Sequence, residues 1–231
     1  MPRAGSKTKA PELPQRAKPP KWERKAGERP DALFIAALDV FSRNGYRASR
    51  LEDVAKAAGV SKGTVYNYFE NKEDLLRKAL EHKLTTLLQL AETAVEAFRG
   101  TSSEKLRFYM ERSWTRSLSG DVGRFQKLVL GEIAVELPEL FRLWARKGMV
   151  RNWKLVEKII HEGQASGEFR AEADAAGIAR YAMSGLSYQA FLQKHMGIDA
   201  LDTYPTAGIL ASATDIVIRG LLSGEPARRK K

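Results

Sequence analysis

Short polar side chains occupy the outward positions of residues 61–69, a segment with helical spacing. They are Ser61, Lys62, Thr64, Asn67 and Tyr68. Hydroxyls, an amide and a single cation can approach phosphates and base edges closely, whereas a merely solvated helix face carries a mixture of Glu and Lys. Gly63 removes a side chain where a nucleic-acid backbone would approach, and the first N–H groups of a helix attract phosphate. The composition therefore indicates contact with nucleic acid.

Two short helices joined by a tight turn are predicted to hold this segment in place. The first begins with a capping-box pattern at Ser49 and Glu52, and Gly59 ends it. In the second helix, Val65 and Phe69 fall on the inward face and are predicted to be core residues. The layout is that of a helix-turn-helix, although an ordinary helical hairpin has the same spacing.

Longer helices are predicted on both sides of this pair. A helix over residues 31–44 follows Pro30 and ends at Gly45, and Asn71 caps a fourth helix that continues to residue 98. Residues 30–80 are therefore predicted to form one helical domain.

Residues 81–222 are predicted to form a second helical domain. Glycine and proline breaks divide the part beyond the fourth helix into segments 103–119, 122–135, 139–165, 174–194 and 206–222. No alternating apolar and polar stretch is long enough to predict a strand. The total is about nine helices, and the predicted fold class is all-α.

The net charge of +11 is concentrated at the two ends of the chain. Residues 1–30 hold nine basic and three acidic side chains and six of the nine prolines, and the last four residues are all basic. Residues 1–29 are predicted to be a flexible basic arm and residues 223–231 a basic tail. The alternative for the arm is a solvated segment that only aids solubility.

The composition excludes several kinds of site. The chain has no Cys, so it has no disulfide and no thiolate zinc site, and its three His are too scattered for a metal site. No apolar run approaches the roughly 18 residues of a membrane span, so no membrane partner is expected. There is no nucleophile–base pair and no phosphate-binding loop, and we expect neither enzyme activity nor a cofactor.

The first domain resembles the DNA-binding domain of the TetR family of transcriptional regulators. The resemblance rests on AALDVF at 36–41, NGY at 44–46, VAKAAGVSKGTVYNYF at 54–69 and KEDLL at 72–76. It implies that Ser49 and Arg50, at the start of the second helix, contact the DNA backbone. It implies major-groove contacts along the third helix from Ser61, Lys62, Thr64 and Asn67. It also implies phosphate contacts from Tyr66, Tyr68 and Lys72. Arg50 stands where the family more often has Ser or Thr, and it is long enough to reach a base.

The second domain is similar to the regulatory domains of AcrR-like and AefR-like members. This similarity rests on RFQKLVLGE at 124–132, LPEL at 137–140 and GEFR at 167–170. It implies a homodimer formed by the last two helices, 174–194 and 206–222, whose many small residues allow helix axes to come close. It also implies a bacterial, cytoplasmic protein associated with the nucleoid. An intramolecular core is the alternative for the small residues.

Aromatic residues of the middle helices suit a cavity for a small apolar or aromatic effector, or else an ordinary aromatic core. The residues expected to line such a cavity are Phe108, Trp114, Phe125 and Tyr188. The function that follows is a dimeric DNA-binding regulator, a repressor that an effector releases from a palindromic operator on double-stranded DNA. The alternative is a DNA-associated protein of the same fold that acts through a protein partner.

Overall fold

The computed structural model describes residues 29–196 and 208–223. Within these ranges the chain forms nine continuous helices and one isolated antiparallel bridge, between Phe169 and Leu222, which confirms the all-α prediction. No helix in the two ranges is both long enough and apolar enough to cross a bilayer. The predicted basic arm and basic tail lie outside the described residues, except for their innermost positions.

The first four helices follow the predicted pattern. They are α1 (Arg29–Asn44), α2 (Leu51–Ala57), α3 (Lys62–Tyr68) and α4 (Lys72–Ala97). Gly45, after α1, and Gly59, after α2, have φ angles of +86° and +66°, in the left-handed region that favours glycine. Ser61 and Asn71 cap α3 and α4, each accepting a hydrogen bond from the backbone N–H three residues later.

The start of α2 differs from the prediction by one residue. The cap is Arg50, whose backbone N–H donates to the Asp53 carboxylate at 2.8 Å. Ser49 Oγ instead donates to the carbonyl oxygen of Gly45 at 2.6 Å, and Ser49 is only 2% exposed. The predicted capping pair of Ser49 and Glu52 is wrong, because the turn after α1 draws the Ser49 hydroxyl inward.

The remaining helices form the second half of the molecule. They are α5 (Ser102–Ser117), α6 (120–136), α7 (138–166), α8 (Ala175–His195) and α9 (Ile209–Leu221). Both α6 and α7 contain a π-helical turn, at Leu128–Ile133 and at Ala145–Val150. Such turns are rare inside helices and are frequent at functional sites. Each π-helical turn changes the face of the helix on which the following side chains lie. Helical periodicity in the sequence does not predict this change.

Two hydrophobic cores hold the helices together, and they do not divide at residue 80. The first contains the apolar faces of α1 to α3 and the beginning of α4, with Val65 at 0% and Phe69 at 3% exposure, as predicted. It also contains Phe125, Leu128, Val129 and Ile133 of α6. The second core joins the rest of α4 to α5, α7, α8 and α9. Helix α6 therefore packs with the helix-turn-helix although it lies far along the chain.

Candidate nucleic-acid interface and ligand cavity

The outward face of α3 and the start of α2 form a continuous polar surface, which we call the recognition surface. Its exposed members are Arg50, Ser61, Lys62, Tyr66 and Asn67. Thr64 and Tyr68 are half-buried beside them, and Tyr68 packs against the first core. The structure thus brings together seven of the nine residues expected to contact DNA.

Local hydrogen bonds fix the beginning of α3. Ser61 Oγ accepts from the Thr64 backbone N–H at 3.1 Å, and the two hydroxyl oxygens lie 2.9 Å apart. This arrangement orients both hydroxyls before any partner binds, so less side-chain freedom is lost on binding.

Lys62 is paired with an acidic residue of the preceding helix. Its Nζ forms an ion pair with Glu52 Oε1, and it lies 5.5 Å from the centre of the Tyr66 ring. The hydrogen bond from Lys62 lowers the pKa of Glu52 below its ordinary value, and the same bond raises the pKa of Lys62. Contact between Lys62 and a phosphate would therefore compete with Glu52.

Two of the residues predicted to contact DNA have side-chain hydrogen bonds within the protein. Besides the buried hydroxyl of Ser49, the Nζ of Lys72 donates to the carbonyl oxygens of Tyr46, Arg47 and Ser49 at 2.7, 3.3 and 3.0 Å. An ammonium group has three N–H donors, so these carbonyls use all of them. Both side chains therefore hold the loop between α1 and α2, residues 45–50, from within, and the DNA contacts that the resemblance implied for Ser49 and Lys72 stay predictions.

The same loop is held from the other side by α6. Glu132, in the π-helical turn, accepts from the backbone N–H groups of Tyr46 and Arg47 at 2.7 and 3.2 Å. Arg47 also pairs with Glu136 at 2.6 Å. A Cβ atom on Gly45 would lie 2.8 Å from Glu132 Oε1, so the close approach favours glycine there. Sequence analysis missed Glu132, since 86 residues separate it from its partner and no local pattern marks it.

A cavity of about 340 Å³ lies between α4, α5, α6, α7 and α8; we call it the inner cavity. Its wall is mainly apolar and includes Leu84, Phe125, Trp144, Trp153, Met183 and Phe191. The volume is within the lower part of the range of pockets that bind small molecules. On α6, Gln126 and Leu130 line this cavity, Leu128 and Val129 pack in the first core, and Phe125 does both.

The four aromatic residues expected at the cavity have different positions. Phe125 and Tyr188 line the inner cavity, and Tyr188 remains 59% exposed at its edge. Phe108 lines a smaller cleft between α4 and α5 and stacks near Phe98, with ring centres 4.9 Å apart. Trp114 packs against the second core and is not part of the described wall of either cavity. Trp144, Trp153 and Phe191 were not singled out, because periodicity does not separate aromatic core residues from cavity residues.

One polar atom in the cavity wall lacks a partner. Gln126 Oε1 is buried, and no donor within the described ranges reaches it. A buried acceptor without a hydrogen bond costs about 1–3 kcal/mol unless another molecule supplies the donor. The cavity thus offers a hydrogen-bond acceptor to an occupant.

The last two helices expose large apolar side chains. Tyr181 is 82% exposed on α8, and Ile216 is 69% exposed on α9. Tyrosine is among the residue types that are enriched at interfaces between proteins.

Comparisons with known proteins agree with this architecture. Residues 33–79 match the sequence model of the family described as "Bacterial regulatory proteins, tetR family". The "Fatty acid metabolism regulator protein" of Bacillus subtilis is 31% identical over 144 residues, which cover 62% of this chain and 71% of the relative. The transcriptional regulator AcuR of Cereibacter sphaeroides is 28% identical over 186 residues, 78% of this chain and 82% of the relative.

Solved structures show the same fold. FadR from Bacillus subtilis, in complex with stearoyl-CoA, has a TM-score of 0.65 and 22% identity, covering 82% of this chain and 97% of FadR. NemR of E. coli in its reduced form has a TM-score of 0.68 and 15% identity, covering 86% and 98%. At these identities the likeness concerns the fold alone.

Proposed function

Because this chain belongs to the TetR family of transcriptional regulators, we propose that it is a dimeric repressor that binds a palindromic operator and is released by a small apolar effector. The family membership makes it a DNA-binding regulator of transcription and not an enzyme. The proposal goes beyond this membership in four respects, which are the dimer, repression as the sign of regulation, the symmetry of the operator and the small-molecule effector.

One observation carries the proposal: α6 belongs to both sites. Phe125, Gln126 and Leu130 of α6 line the inner cavity, and Glu132 of the same helix holds the loop before α2. An occupant that favours a different position of α6 would change the hold of Glu132 on that loop. Such coupling equals the difference between the occupant's affinities for the two positions.

The DNA contacts proposed for this chain follow the recognition surface. Arg50, Tyr66 and Tyr68 would contact phosphates, which position the protein without reading the sequence. Ser61, Lys62, Thr64 and Asn67 would face the major groove, where short polar side chains can read base edges. Arg50 is also long enough to reach a base, and it is exposed at the cap of α2.

Dimerisation through α8 and α9 would give the operator its two-fold symmetry. A second copy would cover Tyr181 and Ile216, the most exposed apolar residues of these helices. A two-fold symmetric pair places two recognition helices one turn of DNA apart, about 34 Å, and so reads a palindrome.

The inner cavity supports a small-molecule effector over a protein partner, because a protein–protein readout would not need an interior space. An apolar occupant agrees with the relatives. One of them is named for the control of fatty acid metabolism, and the FadR structure holds stearoyl-CoA. An acyl chain is the kind of ligand that the apolar wall of this cavity would accept.

The coupling is tested with Glu132→Gln in the full chain. Binding sites selected from random DNA should be palindromic, with half-sites about one helical turn apart. The amide keeps the shape of the side chain but loses the charge that accepts two N–H groups, so we expect roughly tenfold weaker binding to the selected site. Glu139→Gln, which alters only an exposed pair with Arg142, is the matched control.

Equal affinities of these two variants for the selected DNA would contradict the coupling through α6. Selected sites without two-fold symmetry, or a monomer in sedimentation, would contradict the dimeric repressor.

A further inference from the structure

The charged groups that line the inner cavity all have one sign. Lys83 and Arg116 are part of its wall, and no Asp or Glu is among the described residues that line it. Cations that face a partly dry space without counter-charges are unfavourable until an anion joins them. The cavity therefore favours an occupant with negative charge.

Arg116 is the one arginine among the described residues of the cavity wall. Its guanidinium makes a long hydrogen bond from Nη2 to Ser113 Oγ at 3.4 Å and lies near the Tyr109 hydroxyl, and no carboxylate of the described residues lies within ion-pair distance. By contrast, Arg151 on the neighbouring helix α7 is held by both carboxylate oxygens of Glu92, at 2.7 and 2.6 Å. A guanidinium can bind a carboxylate through two parallel hydrogen bonds, so Arg116 retains the capacity that Arg151 has used.

The amide of Asn152 is a second hydrogen-bond donor in the cavity wall, besides Arg116. The hydroxyl of Tyr109 donates to Asn152 Oδ1, and Tyr109 is only 2% exposed. Burial raises the pKa of Tyr109, partly offset by the nearby positive charge of Arg116, so the hydroxyl stays protonated at neutral pH and remains a donor. Because Asn152 accepts this hydrogen bond through its oxygen, both N–H donors of its amide remain available along the cavity that it lines.

The remainder of the wall suits an apolar chain. Two tryptophans, Trp144 and Trp153, and two methionines, Met149 and Met183, lie along it. Methionine side chains adapt to irregular apolar shapes, which suits a flexible chain better than a rigid ring system.

We propose that the effector is an anionic amphiphile whose apolar chain fills the inner cavity and whose anionic group binds Arg116 and Asn152. The proposal rests on the effector function proposed above and specifies its ligand class. Lys83 lies elsewhere, where the inner cavity meets an open groove between α1, α4 and α6 that shares Lys83, Leu87 and Phe125 with it. A larger anionic head group outside the cavity would contact Lys83. Contact with Lys83 therefore distinguishes an acyl thioester of coenzyme A from a free carboxylate, which would bind Arg116 and Asn152 only.

The test measures binding of decanoate, decanol and decanoyl-CoA to the full-length protein by calorimetry and by the emission of the cavity tryptophans. Decanoate should bind at least about tenfold more tightly than decanol, since a hydrogen-bonded charge pair is worth that much. In Arg116→Gln this preference should disappear while decanol binds as before. Arg107→Gln, at an exposed arginine of the same helix that is outside the cavity wall, is the matched control, and it should leave the binding of decanoate unchanged.

Equal binding of decanoate and decanol by the native protein, or binding of neither, would overturn the anionic amphiphile. Decanoyl-CoA that binds most tightly and is weakened by Lys83→Gln but not by Arg116→Gln would overturn the assignment of Arg116. Unchanged thermal unfolding of both variants shows that the readout concerns the ligand. Operator symmetry and the effect of Glu132→Gln are independent of all these results, so failure here would leave the repressor function standing.

Discussion

The recognition surface comes from one stretch of chain, residues 50–68, whereas the wall of the inner cavity draws residues between 83 and 191 from five helices. The first is shaped by contacts between near neighbours, such as Ser61 with Thr64 and Arg50 with Asp53. The second is the space left where long helices fail to fill the region between them. A binding surface made of local contacts is readable from sequence, and one made of packing is not.

The two regions nevertheless share a support. Lys72 and Glu132 both form hydrogen bonds to the backbone of the loop before α2. Helix α6 also contributes apolar residues to the first core. The residues of the recognition surface thus come from one stretch of chain, but residues far along the chain stabilise it. This contrast can be tested with three sets of variants, in order of decreasing effect.

The largest effect is expected from Ile133→Ala. Ile133 is fully buried in the core that it shares with the helix-turn-helix, so the variant should lose about 2–5 kcal/mol of unfolding free energy. Urea unfolding gives the stability, and hydrogen exchange should accelerate across α1 and α2. Ile160→Ala, equally buried in the second core, should spare that exchange. Similar exchange in both variants would show that the first domain does not depend on α6.

A smaller effect is expected from Lys72→Met. The variant keeps the length of the side chain but leaves the carbonyls of Tyr46, Arg47 and Ser49 without their shared donor, at about 1–3 kcal/mol. Thermal unfolding without DNA should show the loss. Lys56→Met, an exposed lysine on α2, should change stability by less than about 0.5 kcal/mol. If Lys72→Met were as stable as this control and only bound DNA less well, Lys72 would be a phosphate contact after all.

The smallest effect is expected from Glu52→Gln, which sharpens the description of the recognition surface. Without its carboxylate partner, Lys62 becomes available to phosphate, so binding to unrelated DNA should strengthen. The slope of log affinity against log salt should steepen by up to about 1, the contribution of one phosphate contact. Asp39→Asn, which breaks an exposed pair with Arg43 on α1, is the comparison variant. A salt slope equal to that of the native protein would mean that Lys62 does not reach the DNA backbone.

Local chemistry explains which parts of the fold were predictable. Gly45 and Gly59 sit in left-handed turns, Asn71 caps α4, and Val65 and Phe69 point inward, all as their residue types and spacing indicated. The capping residue of α2 was misplaced by one position, since Ser49 found a nearer acceptor in the carbonyl of Gly45. Of the four aromatic residues expected at the cavity, two line it, because an apolar helix face has the same pattern whether it meets a core or a void.

The sequence by itself determined the helical class, the helix-turn-helix and the polar face of α3, because these depend on residues a few positions apart. Only the tertiary structure decided that α6 packs with the first domain, that Lys72 and Ser49 form hydrogen bonds within the protein, and that Arg116 lines a cavity with no carboxylate partner among the described residues. These features depend on contacts between residues tens of positions apart, and on π-helical turns that change which side chains share a face. Neither the long-range contacts nor the π-helical turns produce a periodic pattern in the amino-acid sequence.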